Sequence, residues 1–228
     1  MKAFHEVRSY DSDFMVWHGF YENISFLAHW HQEIELIYLR SGSARLSIND
    51  YNFTAHAGDL VVVDSDVIAH APAHLLVAGM GDALATFFEA QACRESGGES
   101  ELAGASGVAA MALARSCFEV LMVDGRQAKA DVEAKVLSPA VERVLECNIL
   151  CSGIGFESGG LSLAHAVANG LAALEGVRVA HGLAVTYGLS VQFAAAATLT
   201  GKPLGDEETR ALAFCHAVGL PTCLVDLG

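Results

Sequence analysis

The sequence predicts an α+β fold in which a short, incomplete β portion (1–58) leads into an all-α portion (59–228). Texture, apolar period and composition point that way together. Up to about residue 60, aromatic residues crowd the chain, apolar and polar positions alternate loosely, and no proline occurs. From residue 74 the apolar spacing changes to three and four, the period of a helix face. A chain that is 53% hydrophobic and 18% charged packs a core, which rules out a mostly disordered protein.

In chain order, EIELIYL (33–39) has the wording of a strand, and ARLSI (44–48) alternates at period two. RSGS (40–43) between them supplies turn chemistry, which predicts a hairpin. LVVV (60–63) is a third strand, entered through the turn Ala57-Gly58-Asp59. Leu76, Met80, Leu84, Phe87 and Phe88 then mark one face of a helix. The run 108–123 is a second. Ser138-Pro139 has the form of an N-cap followed by proline at the first helical position, opening a helix through Val144 and Leu145. Further helices are expected at about 160–173, 183–197 and 206–217, and no comparable strand signal follows Val63.

Charge excludes one class of partner. Thirteen Lys+Arg against 27 Asp+Glu leave −14, so nucleic acid is not expected. The uncharged stretch 183–200 reaches the minimum length of a membrane span. It carries Thr186, Tyr187, Ser190, Gln192 and four consecutive alanines, so a buried helix of a soluble domain is expected and no membrane partner. The opening MKAFHE meets an acid too soon for a secretory leader. Cysteines 93, 117, 147, 151, 215 and 223 form no C-x-x-C pair, and read as reduced, structural thiols of a cytoplasmic protein.

Two constellations carry chemistry. In the first, His29-Trp30-His31 precedes Glu35, and on a strand the side chains of His29, His31 and Glu35 share a face. Two imidazoles and a carboxylate suit a divalent transition metal, and the same pair also serves merely to line a pocket. The spacing H-x-H-x3-E-x6-G, closed by Gly42, resembles the first cupin motif, and residues 1–58 resemble the cupin sensing domain of AraC-type transcription regulators. That resemblance implies a barrel binding a sugar or other small effector. Gly58-Asp59 fits the start of the second cupin motif, but Asp64 and Asp66 stand where proline and glycine are expected, and His70 is one residue out of phase. The barrel is therefore expected to be about half built. No DNA-reading helix-turn-helix wording follows.

In the second constellation, GMGDALATFFEA (79–90) puts Asp82 inside an apolar helix, where a carboxylate needs a partner. GIGFESGGLSLAHAV (153–167) carries His165 on an expected helix, and His181-Gly182 follows. Singly, each has a plain role: a hydrogen-bonded core histidine, a helix cap. Together they make a two-histidine, one-carboxylate set, and three protein ligands with a fourth position open is a catalytic rather than a structural metal arrangement.

The surrounding wording is specific. DLVVVD (59–64), Ala71-Pro72, GMGDALAT (79–86), GFESGGL (155–161), AHAV (164–167) and HAVGLP (216–221) resemble the glycerol dehydrogenase family of the iron-containing alcohol dehydrogenase superfamily. The resemblance covers residues 59–228. It implies that Asp82, His165 and His181 hold a catalytic Zn²⁺ or Fe²⁺, which polarises a polyol hydroxyl for hydride transfer to NAD. One departure is that Leu183 follows Gly182 where the family commonly has glutamate.

The family's NAD-binding α/β domain has no counterpart in this wording. Gly153-x-Gly155-x-x-Ser158 follows helical rather than strand sequence, and Gly201-Lys202-Pro203 lacks the rest of a phosphate loop. The family's last helices are expected to be cut off at Gly228. The expectation is thus a join near GDLVVV (58–63), a metal site for a small polyol or sugar, association into a homo-oligomer, and little NAD-linked turnover by this chain alone. The alternatives are a sugar-binding cupin module and a recombined chain without an evolved activity.

Overall fold

The computed structural model describes residues 4–5, 29–30, 35–48, 51–63, 65–101 and 103–227. Its order is β1 (Phe4–His5), β2 (His29–Trp30), β3 (Glu35–Tyr38), β4 (Ser43–Ile48), β5 (Tyr51–His56) and β6 (Leu60–Val63), followed by helices. These are α1 (Ser65–His70), α2 (Ala73–Ser96), α3 (Val108–Glu133), α4 (Pro139–Glu146), α5 (Ser152–Gly159), α6 (Leu163–Ala172), α7 (His181–Thr200) and α8 (Asp206–Val218). The chain is α+β with its strands first, as the change of period implies. Among the described residues no strand follows Val63.

The strands pair differently from the expected hairpin. β3 runs antiparallel to β6, with Glu35 opposite Val63, and β4 runs antiparallel to β5, with Ser43 opposite His56. β1 and β2 make a separate parallel pair. RSGS (40–43) therefore does not reverse the chain; it interrupts one arm of a ribbon. The amide of Gly58 donates to Leu39 O at 2.8 Å and that of Ala57 to Gly42 O at 3.0 Å, so the two arms stay joined through the interruption. Residues 39–42 face only 57–59, which is the extra residue of a bulge, and Gly42 takes it up at φ 77°. The reversal falls instead between Ile48 and Tyr51, which pair directly.

The helices pack around α2, whose Leu76, Met80, Leu84, Phe87 and Phe88 are all buried. Phe88 meets Phe193 of α7 edge-on at 4.8 Å and Phe118 of α3 at 5.7 Å. α3 runs ten residues beyond the expected end because Leu121, Gly125, Ala128 and Val132 continue its buried stripe. Ser138 caps α4 as the sequence implies, its hydroxyl accepting from the amide of Val141 at 3.3 Å. A π-helical turn, Cys147–Cys151, joins α4 to α5. The GIGFESGG wording forms α5 itself, and Gly160 at φ 95° breaks it from α6.

Glycine brings α7 close to two neighbours. A Cβ on Gly81 of α2 would collide with the Thr186 hydroxyl and lie 2.7 Å from Gly182 O; one on Gly188 would collide with Ala164 O of α6. These contacts draw the N-terminal half of α7 against the middle of α2 and the start of α6. α7 is long and apolar enough to cross a bilayer, but Val185, Leu189 and Phe193 are committed to the core.

Candidate metal centre

Three helices converge where α7 meets α2 and α6. Asp82 stands in the middle of α2, His165 is the third residue of α6, and His181 is the first residue of α7. His165 Nε2 lies 3.3 Å from Asp82 Oδ1, and His181 Nε2 lies 3.9 Å from the same oxygen. One donor atom from each of the three lies within 4.8 Å of the others. The exposure is graded: the side chains are 11% exposed at His165, 23% at Asp82 and 43% at His181, so the group opens towards solvent on the His181 side.

Behind His165 sits Glu89, fully buried and two helical turns beyond Asp82 on α2. Its Oε2 meets His165 Nδ1 at 2.5 Å, while Oε1 accepts the backbone amides of Ser162 and His165, each at 2.9 Å. Gln192 of α7 accepts the amide of Ala164 at 3.2 Å. The first turn of α6 is thus satisfied by side chains of two other helices, in place of the cap that Ser162 does not provide. Phe156 of α5 lies nearly parallel to the His165 ring, 6.5 Å away. Burial alone would strip a proton from His165. The hydrogen bonds to Asp82 and Glu89 outweigh it and push the imidazole up to about 10.

This donor set fits a divalent cation. Two ligands each about 2.1 Å from one tetrahedral ion stand about 3.4 Å apart, and the 3.3 and 3.9 Å separations bracket that spacing. Two nitrogens and one carboxylate oxygen suit zinc and iron alike, and the buried Glu89 behind Nδ1 is the outer partner that a ligating imidazole requires. The sequence pointed to all three donors and overlooked Glu89. The signal was available: Glu89 lies seven residues after Asp82, on the same face of the same helix, so Asp82 was not the lone carboxylate of its segment.

Of the N-terminal constellation, His29 lies in β2 beside Phe4, and Glu35 begins β3 opposite Val63. His31 lies outside the described residues, and with it the geometry of that group. Gly153 and Gly155 lie within α5, so the G-x-G-x-x-S wording is helix rather than a phosphate turn.

The helices are arranged like those of about half of a solved glycerol dehydrogenase chain. More particularly, the chain is similar to the glycerol dehydrogenase of Thermotoga maritima, with 43% identity over 178 residues, 78% of this chain and 48% of that protein. It is 42% identical to the glycerol dehydrogenase of Citrobacter freundii over 195 residues, 86% of this chain and 51% of the relative. Among solved structures, a probable glycerol dehydrogenase from Sinorhizobium meliloti superimposes with a TM-score of 0.66 at 41% identity, over 82% of this chain and 53% of that one. The chain therefore spans about half the length of the curated relatives it matches. Residues 14–73 match the AraC-like ligand binding domain. The longer dehydrogenase match covers more of the chain than lies outside residues 14–73, so the two similarities share residues.

Proposed function

We propose that the helical portion holds Zn²⁺ or Fe²⁺ on Asp82, His165 and His181 and binds a small polyol beside it, forming the metal-and-polyol half of an NAD-linked glycerol dehydrogenase. The observation that supports this is the meeting of those three side chains from three helices, with Glu89 behind one of them. A divalent cation at this place supplies Lewis acidity, lowering the pKa of a coordinated hydroxyl. Asp82 brings the negative charge that offsets the cation's. His165 is held rigidly from both ring nitrogens, and the more exposed His181 borders the side from which a polyol enters.

Hydride transfer needs a bound acceptor, and holding donor and acceptor together accounts for roughly 7–11 kcal/mol of such a barrier. The glycine pairs here lie in a helix or a loop rather than in a strand-to-helix phosphate turn. These 228 residues assayed alone are therefore expected to bind metal and polyol without robust NAD reduction. Metal analysis of dialysed wild type and His165→Ala tests the site: about one equivalent against almost none is expected, and equal content in both removes the assignment. Robust glycerol-dependent NAD reduction would overturn the second half of the reading.

The match over residues 14–73 favours a further role for the N-terminal portion, a sugar or small-effector module using His29, His31 and Glu35. In this reading residues 1–58 and 59–228 meet at β6, a strand that pairs with β3 and begins the dehydrogenase-like wording. Calorimetric titration with common sugars, compared with a His29/His31 double alanine variant, tests it. Identical heats in the two proteins count against those histidines.

A further inference from the structure

We propose that Glu89 is a positioning residue that sets the tautomer of His165, so that the Nε2 lone pair faces the cation site. This rests on the metal reading above and deepens it. Glu89 is fully buried, reaches His165 from the next-but-one turn after Asp82, and uses both oxygens. Oε1 is occupied by two backbone amides, of Ser162 and His165. Only Oε2 is left for the ring, at 2.5 Å from Nδ1. A carboxylate only accepts, so Glu89 holds a proton on Nδ1. Without a cation Nε2 carries a proton as well, towards Asp82; a cation displaces that Nε2 proton, and Glu89 keeps the remaining one on Nδ1. One side chain thus fixes the start of α6 and the chemistry of the ring that α6 carries.

Glu89→Gln separates the two duties. The amide oxygen can keep accepting from Ser162 and His165, while the amide NH₂ turned to Nδ1 donates to it. The neutral ring then holds its proton on Nε2, and its ligand lone pair is lost. Gln192 provides the control, because it satisfies the neighbouring amide of Ala164 without touching the ring.

The test is titration of the metal-free full chain with Co²⁺, read by visible d–d absorption, on wild type, Glu89→Gln and Gln192→Ala, with thermal melts of each metal-free protein. Glu89→Gln is expected to bind Co²⁺ about 10–100-fold more weakly, with an altered spectrum. Gln192→Ala is expected to keep the wild-type affinity and spectrum. If Glu89→Gln does not fold, Glu89→Asp keeps the charge, draws it back by one methylene and is expected to weaken binding to a lesser degree. Wild-type affinity and spectrum in the folded Glu89 variant, or an equal loss in Gln192→Ala, overturns this inference while leaving the metal reading in place. No cobalt signal in wild type overturns both.

Discussion

His165 Nε2 stands 3.3 Å from Asp82 Oδ1, while Glu89, on the same helix as Asp82, holds the other nitrogen of the ring. The start of α7 adds His181 to the same oxygen at 3.9 Å. A cation bound there ties α2, α6 and α7 together and stabilises only the folded chain.

Metal should therefore raise thermal stability. A ligand at a hundredfold excess over its Kd contributes about 2.7 kcal/mol, and for a domain of this size each kcal/mol moves Tm by about 2–4 °C. Adding Zn²⁺ to the dialysed chain is expected to raise Tm by about 5–10 °C, with a chelator reversing it. Asp82→Ala is expected to show no such rise, and a rise equal to that of wild type would remove Asp82 from the site.

The meeting of Asp82, His165 and His181 was legible because each sits in wording that fixes its local structure: Asp82 inside an uninterrupted apolar helix, His165 after the GG break, His181 before an uncharged run. Glu89 was overlooked although it shares the face of Asp82 on the same apolar helix, because a single glutamate reads as a solvated residue until its partners on α6 are seen. The strand error has a similar source. Residues 40–43 can bend the chain, but their composition does not say whether the bend reverses it or bulges it, and that is decided by which strand pairs with β3. β5 was overlooked although Tyr51, Phe53 and Ala55 alternate, because Asn52, Thr54 and His56 between them gave no separate boundary.

Thiol chemistry should divide the cysteines five to one. Cys93, Cys117, Cys147, Cys151 and Cys215 are buried and Cys223 is exposed. Burial pushes the Cys151 and Cys215 thiols up to about 12, and the contact with Cys147, together with burial, holds Cys117 well above its ordinary value. A chromogenic disulfide reagent at pH 8 is expected to titrate one thiol in the native chain and six in denaturant. Cys223→Ser should abolish the native reaction, and fast reaction of a second thiol would contradict the packing.

The link between α3 and α4 should weaken in acid. Arg143 donates to both oxygens of Asp124 at 2.7 Å, and this hydrogen bonding holds the Asp124 carboxyl below its ordinary value against the opposing effect of burial. A carboxylate depressed in the folded state stabilises it above the unfolded pKa, about 3.9, and loses that contribution as pH falls through the folded value. Asp124→Asn should therefore melt below wild type at pH 6–7. The difference should close as pH falls below about 4, and one that does not change with pH would mean that the carboxylate charge is irrelevant there.

Close approach of α7 to α6 should be sensitive to a single methyl group. A Cβ at Gly188 would collide with Ala164 O, a backbone atom one residue before His165, and the helices would have to separate to admit it. Overpacking of that kind costs about 1–3 kcal/mol. Gly170 of α6 is the counterpart: exposed, helical and with open space where its Cβ would lie. Alanine there restricts the unfolded chain and favours the helix, for a gain of about 0.4–1 kcal/mol. Urea melts should thus move in opposite directions, Gly188→Ala to a lower midpoint and Gly170→Ala to a higher one. Because Ala164 precedes His165, Gly188→Ala should also weaken zinc binding, whereas Gly170→Ala should leave it unchanged. Equal midpoints for Gly188→Ala and wild type would show that α7 does not lie on α6 at this distance.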